Sequence, residues 1–528
     1  MFLRPKVMTR QRQAGVDGVT LKDAVPAREK MWWNYPGLRT LNLLLLGAIC
    51  CDVTNGYDGS MLNGLQILPQ WQKYFDHPAE TKLGVISNGA RLGQVAAIPL
   101  VAWVLQRFGR RLPIIFGSLI MLVGVALQAA STENIGMFVM GRFIIGFGNN
   151  LQQSASQVLI AEVCFPDQRA AILGIMNTTG SIGSIMAAWI TFGTGLHIKG
   201  SWSWRLPSVL QAASSLMQIT FALFMPESPR WLVFNNRQTE AMDILTKYHA
   251  EGNPDDQLVK LEMAEINQAL EYEKVQQTSS WMEWFRTSAN RHRFFIVLTL
   301  GFLIQWCGNG IISYYLHIML NTFGIKDAKT QLYINGGYTI WGLVAGTFWS
   351  IVGERLGRRT MFLGGMSGMF VAMLILTTLT GVNSHNNYKN HDMAGATVSM
   401  IFVFYTFYKM AGVTQEPYYM EIAPYLLRGK AIAIKQFGDS TANIFSGFVN
   451  PIALARIDWK YYIVWCVILC TNFLTIWLFY PETKGLSLEE VTQMFDGNEI
   501  HVDTKEGDFA EEKHQPVELV ENLEAARR

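Results

Sequence analysis

The sequence predicts an all-α polytopic membrane protein, with twelve transmembrane helices in two six-helix pseudo-symmetric halves. Three observations lead there. Apolar residues come in blocks of about twenty rather than as amphipathic stripes. Charged residues make up 16% of the 528, well below the roughly quarter usual in soluble domains. Short motifs recur about 250 residues apart in the same order, the mark of an internal duplication.

Runs long enough to cross about 30 Å of hydrocarbon fall near 40–62, 83–105, 112–131, 135–155, 170–193 and 206–225. After a polar interval they resume near 293–318, 332–352, 360–381, 395–420, 430–453 and 461–480. The chain then divides into an N-terminal arm (1–39), a first bundle (40–225), a charged linker (226–292), a second bundle (293–480) and an acidic tail (481–528). Within the linker, Thr239–Tyr248 and Gln257–Lys274 have helical periodicity with Glu and Lys outside. The tail is expected to be disordered past about Gly497, being acidic and poor in aromatics.

Basic residues set the expected orientation. They crowd the arm (Arg4 to Arg39), the joint between spans 2 and 3 (Arg107, Arg110, Arg111) and that between spans 8 and 9 (Arg355, Arg358, Arg359), while alternate joints are poorer. Both termini are therefore expected on the cytoplasmic side. No cleavable signal is visible, since the first forty residues are polar and basic.

The duplicated motifs lie at these joints. Gln106-Arg107-Phe108-Gly109-Arg110-Arg111 recurs as Glu354-Arg355-Leu356-Gly357-Arg358-Arg359. Glu162…Pro166…Arg169 recurs as Glu421…Pro424…Arg428, and Pro226-Glu227-Ser228-Pro229-Arg230 as Pro481-Glu482-Thr483-Lys484-Gly485. Arginine meets carboxylate with fork geometry. Arg107, Arg110, Arg111, Glu162 and Arg169, with Glu354, Arg355, Arg358, Arg359, Glu421 and Arg428, are thus expected to form a cytoplasmic ring between the halves. Such a ring is a two-state latch. The plainer reading of the basic turns is that they only satisfy the positive-inside rule.

With these motifs, Gly141-Arg142-Phe143-Ile144-Ile145-Gly146-Phe147-Gly148 in span 4 and the Pro-Glu-Ser-Pro-Arg and Pro-Glu-Thr-Lys-Gly ends of spans 6 and 12, the chain resembles the sugar porter family of the major facilitator superfamily over nearly its whole length. Asn55-Gly56-Tyr57-Asp58-Gly59-Ser60 and Gln305-Trp306-Cys307-Gly308-Asn309-Gly310 are most similar to the fungal lactose permease and hexose transporter branch. The resemblance implies that Asp58 in span 1 and Arg142 in span 4 form a proton site, with protonation of Asp58 loosening the pair. A static buried ion pair is the alternative. It also implies sugar contacts at Gln305 in span 7, at Asn177 in span 5 where the family has a glutamine, and at Asn309, one residue before the family's asparagine position. Amides both donate and accept, which suits hydroxyls, although they can equally satisfy neighbouring helices.

Several positions depart from the family pattern. Gln106 replaces an aspartate, Gly342 an asparagine and Tyr408 a glutamate. Glu416 stands in span 10 where a tryptophan or aliphatic residue is usual, and span 11 adds Asp439. Both carboxylates are candidate substrate contacts, with Glu416 expected to face the cavity and shift specificity away from plain hexose. Lys435, one turn before Asp439, can neutralise it. Asp52 has no assigned role.

The expected activity is transport of a mono- or disaccharide by alternating access, driven by the proton gradient, with no cofactor and no metal. The alternatives are a carrier for another polyol-like, acidic or secondary-metabolite solute and, in a different class, a non-transporting sugar sensor. No phosphate-cradling Gly-Lys-Ser/Thr loop is present, and the nine histidines form no cluster or nucleophile–base spacing, so neither ATP drive nor enzymatic catalysis is expected. A net charge of +2 gives no reason to expect nucleic acid. The expected partners are the sugar or related solute, protons and the bilayer, with the protein working as a monomer in the plasma membrane.

Overall fold

In a computed structural model the described residues are 32–495, apart from 79, 133–134, 278–280, 354, 386–387, 389, 425–426, 485–490 and 492–493. The side chains of 170, 171, 177, 272–277 and 391 are likewise outside the description. Most of the arm and nearly all of the acidic tail lie outside the described residues.

Twelve helical spans follow one another. Span 1 is Pro36–Ile49 continued by Cys51–Ile67. Spans 2 to 5 are Glu80–Phe108, Arg111–Ala129, Ile135–Val163 and Arg169–His197. Span 6 is Trp202–Leu210 with Ala212–Ala222. Span 7 is Ser288–Gln305 with Asn309–Thr322. Spans 8 to 12 are Ala328–Gly353, Arg358–His385, His391–Ile422, Arg428–Ile457 and Tyr461–Phe479.

Many helices outrun their apolar cores. Span 11, at 30 residues, is about 45 Å long at 1.5 Å per residue, half as long again as the hydrocarbon it crosses. Hydropathy marks only the part in lipid, so it places the ends too far in. Seven helical stretches are long and apolar enough to cross a membrane by composition alone. They account for spans 1, 2, 3, 7, 9 and 10 and for 11 with 12, and spans 4, 5, 6 and 8 complete the bundle. Large apolar side chains such as Trp103, Phe116, Phe224, Ile351, Phe437 and Val467 point outward. In water that would be a liability; against acyl chains it is ordinary solvation.

Glycine lets the helices close up. A side-chain carbon on Gly146 would collide with the Ala90 carbonyl, and one on Gly93 with that of Phe143, so spans 2 and 4 cross backbone to backbone. Gly56 and Gly183 do the same for spans 1 and 5. Packing follows the duplication: span 1 lies on 5 as 7 lies on 11, and 3 on 4 as 9 on 10. The halves meet where span 2 touches 11 and span 5 touches 8, two contacts related by the same pseudo-twofold.

Span 7 breaks between Gln305 and Asn309. Gly308 sits at φ +95°, where a side chain is strained. Asn472 Nδ2 donates to the Trp306 carbonyl at 2.8 Å, restoring a bond lost at the break.

Between the halves, Pro229–Phe234, Gln238–His249 and Gln257–Gln277 form a small helical block. It is bound to the first half. The Glu251 carboxylate accepts from the Gly37 and Leu38 amides at the start of span 1 (3.0–3.4 Å). Buried His249 joins Glu262 (Nδ1 to Oε2, 2.8 Å) to the Val163 carbonyl at the end of span 4 (3.1 Å).

Candidate functional site: a central cavity between two halves

A cavity of about 1170 Å³ lies between the halves. It opens toward the end carrying the arginine-rich turns, since its lining runs down to Ala161 in span 4, Ser350 in span 8 and Met420 in span 10. At the other end the halves are joined. Asn63 Nδ2 donates to Asn335 Oδ1 (3.1 Å), Gln66 Nε2 to the Tyr314 carbonyl (3.0 Å) and Asn88 Nδ2 to the Ile444 carbonyl (3.3 Å). Arg91 closes the apex: its Nη1 donates to the Asn443 carbonyl at 3.2 Å and its guanidinium lies 4.1 Å from the Tyr314 ring centroid.

The first half gives the cavity an amide wall: Gln94, Asn150, Gln153 and Gln157. Three of these follow one face of span 4 at helical spacing, a polar stripe in an otherwise apolar span. None of these four residues is among the expected contacts, although the stripe is a signal present in the sequence.

The second half supplies a charged wall. Lys435 Nζ lies 2.7 Å from Glu416 Oε1 and 2.7 Å from Asp439 Oδ2. Tyr419 OH donates to Glu416 Oε2 at 2.7 Å. The Lys435–Asp439 pair follows from one-turn spacing, whereas the bridge from Lys435 to Glu416 joins two spans and has no local signal. The cavity lining includes Glu416 and Asp439 but neither Gln305 nor Asn309. Gln305 Nε2 reaches the wall only through Asp439 Oδ1, at 3.5 Å. Asn309 Oδ1 instead accepts from Ser313 Oγ at 3.2 Å. The Asn177 side chain lies outside the described residues.

Asp58 and Arg142 meet within the first half in a two-pronged contact. Arg142 Nη1 and Nη2 donate to Asp58 Oδ1 and Oδ2 at 3.2 and 3.0 Å, and Gln211 Nε2 adds a donor at 3.1 Å. Arg142 is 2% exposed. A lone carboxylate at this depth costs at least a few kcal/mol, and the fork with its second donor offsets that cost. Asp52, six residues before Asp58, accepts from Gln153 Nε2 at 2.6 Å.

The arginine-rich turns differ from the expected ring. Arg110 pairs with Glu162 (2.9 Å) and Arg358 with Glu421 (3.0 Å), each inside its own half. Arg111 Nε donates to the Ala222 carbonyl at 2.8 Å and Arg359 Nη2 to that of Trp477 at 2.5 Å. Arg107, Arg169 and Arg355 are exposed and form no ion pair among the described residues. Arg428 Nε donates to the Ala423 carbonyl at 3.4 Å, and Glu354 lies outside the described residues. With the cavity open at this end, the halves stand apart and their charges settle on nearer partners.

Two further carboxylates complete the turns. Glu227 accepts from the Arg110 and Arg111 amides (2.9 and 3.2 Å), capping span 3, and Glu482 accepts from those of Arg358 and Arg359 (2.7 and 3.1 Å), capping span 9. Ser228 Oγ donates to Glu162, and Thr483 Oγ1 to Glu421. The turn, the acid at the end of span 4 or 10 and the motif after span 6 or 12 therefore form one network in each half. The repeat of Pro-Glu-Ser and Pro-Glu-Thr was the available signal for these caps.

The profile of the family described as Sugar (and other) transporter matches residues 44–495. The chain belongs to that family. It is a membrane transporter and not an enzyme. It is 29% identical over 463 residues to the MFS-type transporter oryC of Aspergillus oryzae, covering 86% of this chain and 85% of that one. It is 28% identical to the sugar transporter STL1 of Saccharomyces cerevisiae, covering 88% and 82%. In solved structures its fold is similar to the inward open conformation of the xylose transporter XylE from E. coli, with a TM-score of 0.71 at 21% identity, covering 86% of this chain and 99% of that one.

Proposed function

We propose that this transporter carries a sugar together with a proton by alternating access, in the plasma membrane and with both termini in the cytoplasm. On this reading the cavity faces the cytoplasm. The observation that carries it is the forked Asp58–Arg142 pair, buried outside the cavity but in the same bundle. A proton on Asp58 removes the charge that holds Arg142, so spans 1 and 4 can shift against each other. The membrane potential supplies about 2.3 kcal/mol per charge per 100 mV to drive the cycle. Support for a sugar comes from family membership and from relatives named as sugar transporters in Saccharomyces and as high-affinity glucose transporters in Kluyveromyces and Candida.

The amide wall of spans 2 and 4 meets hydroxyls on one side while Glu416 and Asp439 meet them on the other. Gln305 and Asn177 remain proposed contacts from the family resemblance, and Asn309 a support for span 8 through Tyr338. The arginine turns would act as a gate by bringing the two intact networks against each other when this end closes.

Uptake of labelled mono- and disaccharides by a transporter-deficient yeast, at two external pH values, tests the reading. Accumulation of at least one sugar that rises at the lower pH and stops with a proton uncoupler is expected. Equal uptake with and without the uncoupler would reduce the function to facilitated diffusion. No sugar uptake by protein present in the plasma membrane would overturn it.

A further inference from the structure

The charged wall has a direction of preference that the amide wall lacks. Lys435 is buried, at 8% exposure, and spends its charge on two carboxylates. The three groups together carry one negative charge in excess. Glu416 presents that excess to the cavity, with 57% of its side chain exposed against 10% for Lys435. Each carboxylate oxygen has two lone pairs. Lys435 and Tyr419 occupy only one on each Glu416 oxygen. The remaining sites can accept a hydrogen bond and cannot give one.

The two other charges on the cavity, Arg91 and Lys409, are positive and lie away from the part of it that the triad lines. Arg91 is held at the apex by the Asn443 carbonyl and the Tyr314 ring. Lys409 Nζ lies 5.2 Å from the Tyr405 ring centroid, and it is seven residues from Glu416 along span 10, about 10 Å at 1.5 Å per residue. Facing the triad, Gln94, Asn150 and Gln153 can donate or accept and are indifferent to sign.

We infer that the Glu416–Lys435–Asp439 triad is a specificity filter: it admits a polyhydroxylated solute that is neutral or bears an amine, and turns away the same solute bearing a carboxylate. Hydroxyl and ammonium groups donate to the wall, whereas a carboxylate brings like charge against it with no proton to share. Lys435 is a positioning residue, holding both acids in place without reaching the solute. The inference rests on the transport reading above and narrows its substrate class.

The test uses the full chain in transporter-deficient yeast, with uptake of the neutral sugar or polyol that the wild type carries. D-glucose, D-glucosamine and D-glucuronate serve as competitors of nearly equal size and differing charge. Wild type should be inhibited by the first two at least tenfold more effectively than by glucuronate. The double variant E416Q/D439N, whose triad charge changes sign, should lose most of that ratio. E416Q and D439N alone should each lose part of it, and they stand in if the double variant does not reach the membrane. Glucuronate inhibiting wild type as well as glucose does, or a ratio unchanged in variants present at the membrane, overturns the filter alone. Wild type that moves no neutral sugar or polyol overturns the transport reading with it.

Discussion

Asp58 and Arg142 each stood out as a charge inside an apolar block, which is expensive and has to find a partner, but that they partner each other was implied by the family resemblance. Their fork is the geometry that such a pair needs. Replacing Asp58 with asparagine keeps the hydrogen bond from Gln211 possible but removes the titrating group. Asp58→Asn should therefore lose uphill accumulation while retaining sugar exchange between preloaded and empty vesicles. Counterflow and uncoupler-sensitive uptake in the same vesicles check this, and loss of both activities alike would point to a purely structural pair. The bridge between Lys435 and Glu416 was not legible in this way. The two residues lie 19 apart on different helices, and nothing local says that spans 10 and 11 turn those faces together. Sequence spacing identified only the half of the triad that one turn of helix connects.

At the level of helices and turns, existence was readable and extent was not. Hydropathy sees the apolar middle of a span, while the ends of spans 4, 10 and 11 line an aqueous cavity and carry polar residues. The caps show what those ends require. Truncating Glu227 to alanine strands part-buried amides at the start of span 3, at up to about 1–3 kcal/mol for each donor left unsatisfied. Glu227→Ala and Glu482→Ala should each lower the melting temperature in detergent by several degrees, and fluorescence-detected unfolding would read it. A null result in both would mean that the turns are held by the arginine side chains instead. Where span 2 crosses span 4, a larger residue at Gly146 meets the Ala90 backbone, which cannot rotate aside. Gly146→Val is expected to cost about 1–3 kcal/mol or more from overpacking and to reduce the amount of folded protein in the membrane. Wild-type melting and abundance would contradict that crossing.

For the whole molecule, the duplication was the strongest message in the chain, and the pseudo-twofold contacts of span 2 with 11 and span 5 with 8 carry it into three dimensions. Which charges face across the halves was not legible, because it depends on the conformation adopted. In this one, the end away from the arginine turns is shut. Joining Asn63 and Asn335 there by cysteine substitution, in a background without the native cysteines, should abolish transport under oxidation and restore it under reduction. Continued transport by fully cross-linked protein would exclude any separation of the halves at that point. The helices of Gln238–His249 and Gln257–Gln277 have a mechanical consequence of their own. Clamped to spans 1 and 4 by Glu251 and His249, they are cargo of the first bundle rather than a neutral tether. A dye on their outer surface would swing with that bundle, and its distance to a second dye on span 12 would record each stroke of the carrier from outside the lipid.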